Sequence, residues 1–150
     1  MYGVHYWAQG TSAVFRAPVN QLYDFTTYIG EHQISVGRGD CVFWVSGDQE
    51  TAFVDRGAVE IASTHVATVI RGYMPGARQA RLDVATNLPY VNGCSTRQIF
   101  APERLGDPTL QLLNIPPYSS EQVHHIHSTV RVVLVLSGMG RSVVGMEGQT

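Results

Sequence analysis

The sequence predicts an all-β fold, an antiparallel barrel or sandwich, and three observations lead there. Short runs of β-branched and aromatic residues follow one another closely, Gly- and Asp-containing turns separate them, and helical periodicity is almost absent. Such runs suit a pleated, half-buried surface. Several at close spacing are the pattern of a β-sandwich or barrel.

Taken in order, the first residues are mixed, with one apolar alternation over residues 12–16. From Leu22 the pattern is strand-like. Residues 23–29 close on Gly30, residues 32–36 on Gly37-Arg38-Gly39-Asp40, and residues 41–46 on Gly47-Asp48. These clusters are turn chemistry, and the Arg-Gly-Asp triplet reads as a turn and not as an adhesion signal. Runs over residues 51–54, 58–62 and 66–70 predict further strands. Turn signals then crowd residues 71–76 and 87–94, and a short helix is expected over residues 77–84. Pro102, Gly106-Asp107-Pro108 and Pro116-Pro117 punctuate the approach to a histidine cluster, and residues 110–115 predict a strand leading to it.

Composition narrows the classes. A chain of 150 residues can bury one good core. Only 15% of residues are charged and 44% are apolar, which excludes disorder. The net charge is −2, and the ten basic residues, all arginine, are scattered. A nucleic-acid partner needs them clustered, so none is expected. No apolar run reaches the roughly 18–20 residues of a membrane span, and the N-terminus lacks the basic and apolar regions of a signal peptide. Two cysteines, Cys41 and Cys94, make no disulfide framework. A cytoplasmic protein with reduced thiols is expected.

The candidate site is His124-His125-Ile126-His127, placed just before the most β-prone run, residues 130–136. On a strand, alternate side chains share a face, so His125 and His127 point together and His124 points away. Two imidazoles so placed can reach one metal ion. The plainer reading is a polar strand end facing water. Tyr118 and Gln122 precede the histidines and are candidates for a pocket mouth, with packing as the alternative. His5, His32 and His65 have no neighbours at ligand spacing and read as structural. Cys94 reads as a small buried hydrophobe before it reads as a nucleophile.

After the histidines, Ser137-Gly138-Met139-Gly140 and a second β-type run predict a hairpin. The unit resembles the first motif of the cupin superfamily, G-x5-H-x-H-x(3,4)-E-x6-G, with His125 and His127 at the histidine positions and Gly138 at the closing glycine. Ser119 stands at the first glycine, and Arg131 stands where the family has a glutamate ligand. Residues 39–54 resemble the second motif more weakly: Gly39 and Gly47 match, while Val45, Glu50 and Val54 replace its proline, histidine and asparagine. The interval from Tyr23 to Gly30 repeats that from Arg131 to Gly138, which aligns Ala17 and Val19 with the metal histidines. The two closing glycines lie about a hundred residues apart, the length of one small domain.

The resemblance implies a cupin-type antiparallel β-barrel or jelly roll in tandem. Residues 1–86 form a degenerate first unit, and residues 87–150 start a second unit that carries the histidines. On that layout the chain reads as a fragment of a longer two-cupin protein, with one barrel combined from the remaining segments, within or between chains, as the alternative. The resemblance also implies a divalent transition metal (Fe, Mn, Ni, Zn or Cu) on His125 and His127. Arg131 shares their parity and is expected to face the barrel interior. There it clamps the carboxylate of a small anionic substrate, or else pairs with Glu121 in a metal-free site. Three function classes follow: a metal-dependent oxygenase, isomerase or lyase; a metal-free small-ligand binder; and a dimerisation module. A homodimer is the expected assembly. Fold alone does not choose among them.

Overall fold

The structure, a computed structural model, describes residues 4–17, 22–120 and 129–143. It is all-β and antiparallel, with no α-helix among the described residues. The first seven strands are β1 (Ala13–Arg16), β2 (Asp24–Ile29), β3 (His32–Val36), β4 (Asp40–Val45), β5 (Thr51–Arg56), β6 (Val59–Ser63) and β7 (Val66–Arg71). They follow the alternations and turn clusters read from the sequence. Next come β8 (Arg78–Arg81), β9 (Leu88–Pro89), a 3-10 turn at Val91–Gly93, β10 (Ser95–Phe100) and β11 (Leu110–Asn114).

One ribbon organises the molecule. Strand β2 pairs with β7, and β3 with β6, in a single register that runs without slipping from Asp24 opposite Arg71 to Val36 opposite Val59. The hairpin β4–β5 is nested inside this ribbon, and β4 returns to pair with β7. A six-stranded sheet of order β1-β2-β7-β4-β5-β8 results, with β3–β6 and β11-β10-β9 as smaller sheets. The edge strands β1 and β8 do not pair with each other, so no barrel closes among the described residues.

Burial follows position. Strand β4 lies mid-sheet and is covered on both faces, which its continuous apolar run Cys41-Val42-Phe43 allows. Strands β3 and β6 are covered on one face and alternate, with Ile34, Val36 and Ile61 inward. Those side chains meet Val42 and Ala67 in one core. On the opposite face of the main sheet, Cys41, Phe43, Val54, Ile70 and Tyr73 form a second core with Phe100, and Ile99, Leu110, Leu134 and Leu136 pack against it. A β-bulge between Gln98 and Phe100 lets the consecutive residues Ile99 and Phe100 both serve that core.

One expectation is corrected, and two rest partly on residues outside those described. Residues 78–81 form a strand on β5, with Val54 opposite Arg78 and Thr51 opposite Arg81, and not a helix. The free edge of β5 offers ladder hydrogen bonds that outweigh weak local propensity. The run 130–136 has no ladder partner among the described residues, although Leu134 and Leu136 lean on the core. Gly138 does take the left-handed turn conformation (φ +82°), but no paired strands flank it among the described residues.

Candidate functional site

His124, His125, His127 and Gln122, like Val19 and Glu121, lie outside the described residues. Arg131 is exposed. Leu134 and Leu136, of opposite parity, point to the core, while Val133 and Val135 share the parity of Arg131 and are exposed. The expectation that Arg131 faces an interior is thus replaced by a solvent-facing guanidinium. Tyr118 is fully exposed at φ +61°, inside the turn that the Ser119 N–H closes on the Pro116 carbonyl. Gly30 and Gly138 both have φ near +80°, so each fills a left-handed position that suits glycine.

The other sequence candidates have ordinary partners. Glu50 pairs with Arg81 at 3.1 Å on the surface. Cys94 and Cys41 are free and buried, and burial pushes the Cys41 thiol up to about 12, far from a reactive thiolate. His32 Nε2 lies 2.9 Å from the Ile29 carbonyl, His65 Nε2 lies 2.8 Å from that of Gly47, and His5 packs on Trp7 and Phe15. Among the described residues no group of three or more His, Cys, Asp or Glu could hold a metal ion.

A polar cleft lies elsewhere, with a volume of about 250 Å³. Strand β2 contributes Asp24, Thr26 and Tyr28, which period-two alternation places on one face, while Phe25 and Thr27 point to the other. Strand β1 adds Arg16, β3 adds Ser35, β4 adds Asp40, and β7 adds Val69 and Arg71. Register sets the charge pattern: Asp24 lies opposite Arg71, and Arg71 opposite Asp40, in one row across three strands. Arg16 reaches Asp24 Oδ2 at 3.6 Å, a long and exposed pair that stabilises the fold little. Asp24 Oδ1 is shielded from water and has no hydrogen-bond donor among the described residues. Arg71 forms no ion pair among the described residues, although a carboxylate flanks it on each side. Sequence reading missed this cleft because each of its charges sits at a strand end, where a charge ordinarily meets only water.

A second polar cluster straps the loop of residues 101–109 to the sheet. Tyr23 Oη donates to Asp107 Oδ1 at 2.9 Å, and Arg104 donates to Asp107 through its backbone N at 2.9 Å and its Nε at 3.2 Å. The Arg104 guanidinium and the Tyr23 hydroxyl hold the Asp107 carboxyl below the ordinary range. The same hydrogen bond raises the Tyr23 phenol. Asp107 has all its acceptor capacity engaged, so the cluster reads as structural. Neither a protein-family model, nor a curated protein, nor a solved structure matches the chain.

Proposed function

We propose that this chain is a cupin-type protein that binds a small polar molecule, and that the cleft between β1, β2, β7 and β4 is where it binds. The observation that carries the reading is a cavity whose wall holds a dry carboxylate oxygen, on Asp24, and the Arg71 guanidinium, the one without a donor and the other without an ion pair among the described residues. Buried polar atoms in folded proteins are almost always satisfied, and a ligand is one way to satisfy them. The unslipped ribbon with a hairpin nested inside it supports the cupin-type part, because jelly rolls, cupins among them, have antiparallel Greek-key connectivity.

A thermal-shift panel of small acids, amines, amino acids and sugars tests the site. A binder present at a hundred times its Kd stabilises the native state by about 2.7 kcal/mol, a shift of several degrees in Tm. The expected result is a shift for wild type that is lost in Arg71→Ala. Equal shifts in the two proteins would place binding elsewhere.

A second reading keeps His125 and His127 as ligands of a divalent transition metal. The His-x-His spacing of the sequence favours it, because alternate side chains share a face wherever a chain is extended. Exposed Arg131 is then available to a substrate carboxylate, and the chemistry is that of a metal-dependent enzyme on a small anion. Metal content of the purified protein tests it: bound metal that falls in His125→Ala is expected, and an unchanged content rejects it.

A further inference from the structure

We propose that the cleft is selective for a compact zwitterion, a free α-amino acid or a similar ammonium carboxylate, with its carboxylate on Arg71 and its ammonium on Asp24. The inference rests on the cleft being the ligand site and adds the chemical class. Asp24 Oδ1 is the starting point. Among the described residues it accepts nothing and is closed to water, while the one cation that pairs with the carboxylate, Arg16, stands 3.6 Å from the other oxygen. An ionised carboxylate oxygen in that position calls for a donor, and a charged donor makes the stronger bond.

Arg71 supplies the complementary half. It sits directly across the ladder from Asp24, and residues so placed have Cβ atoms about 5 Å apart. Even so, no ion pair links the two among the described residues. The guanidinium is thus free to take a carboxylate side-on, the geometry its planar fork favours.

Ligand classes separate on charge. A simple anion would satisfy Arg71 and leave Asp24 Oδ1 without a donor. A simple amine would satisfy Asp24 and leave Arg71 unpaired. A dianion would bring its second charge against Asp24 or Asp40, which flank Arg71 on neighbouring strands. A molecule with one charge of each sign a few ångströms apart meets both groups at once. The cavity, about 250 Å³, admits a molecule of amino-acid size and is small for anything polymeric. Thr26, Ser35 and Tyr28 are left to face the ligand's remaining atoms, which favours a short polar side chain over a long apolar one.

The test is calorimetric titration of the full chain with free amino acids, their N-acetyl derivatives and their amides. N-acetylation removes the ammonium, and amidation removes the carboxylate. The expected result is measurable binding of at least one short polar amino acid, weakened tenfold or more by either modification. Asp24→Asn should then reproduce the loss from N-acetylation, and Arg71→Gln the loss from amidation. Unfolding midpoints close to wild type establish that both variants are folded. An N-acetyl derivative that binds as well as its parent overturns the zwitterion assignment. If sugars, simple acids or simple amines bind and lose affinity in Arg71→Gln while no amino acid binds, the class falls and the cleft stands. If nothing binds, both fall together.

Discussion

Asp107 shows what one residue does for this fold. Its carboxylate is 7% exposed and accepts from Tyr23, which is 84 positions away, and from Arg104. The Arg104 hydrogen bond is the largest cause of its lowered pKa. In the unfolded chain the group returns to about 3.9, so between the folded and unfolded values the unfolded state holds more protons. The stabilisation is therefore complete above about pH 4 and is lost as pH falls through the folded value. Urea midpoints measured from pH 5 down to pH 2.5 should fall more steeply for wild type than for Asp107→Asn. Parallel curves would mean that Asp107 is not linked to folding. In the sequence, Gly106-Asp107-Pro108 is legible as a turn. Its partner Tyr23 is legible only as a strand residue, because nothing local joins positions so far apart.

At the scale of elements, the connection between β5 and β6 is the tightest point of the ribbon. Gly57 donates its N–H to the Asp40 carbonyl at 2.9 Å, and a Cβ placed there would run into the carbonyl of Gly37 and stand 2.8 Å from that of Val36. Both obstacles are backbone, so neither can turn aside as a side chain would. Gly57→Ala should cost at least the 1–3 kcal/mol or so typical of overpacking, read as a lower urea midpoint at unchanged slope. Gly76→Ala is the control. Its Cβ would meet nothing within 4 Å and its φ is not positive, so it should be neutral or slightly stabilising. Elements with strong local chemistry were legible. Strands β1 to β7 and β11 carry β-branched or aromatic residues, mostly between Gly, Asp or Pro turns. Strand β8 was not legible, because Arg78-Gln79-Ala80-Arg81 consists of good helix formers and becomes a strand only beside β5. The Ser-Thr-Arg-Gln start of β10 likewise hides a strand that its partner β11 defines.

Over the whole molecule, one sheet separates two cores, and each core needs its own cover. The face bearing Ile34, Val42 and Ala67 is covered by β3–β6, and every described residue of that core precedes position 87. The face bearing Cys41, Phe43, Val54 and Ile70 is covered from beyond it by Phe100, with Ile99, Leu110, Leu134 and Leu136. The charged row Asp24, Arg71, Asp40 arises at the same scale. Three strand ends become neighbours only through the register of β2, β7 and β4, so hydrophobic patterning could give the strands but not the cleft. Shared packing also bears on the division read between residues 86 and 87. A chain cut after Thr86 keeps all six strands of the main sheet but exposes the apolar face that Phe100 and its neighbours cover. Each large apolar side chain uncovered forfeits about 1.5–3 kcal/mol of burial, and a few such losses match the entire stability of a typical domain. Residues 1–86 alone should therefore retain far-ultraviolet β signal while losing a sharp unfolding transition and binding a hydrophobic dye, the behaviour of a collapsed chain without fixed packing. A cooperative transition near the full-length midpoint would instead make residues 1–86 an independent folding unit, with the later strands an addition to a core already complete.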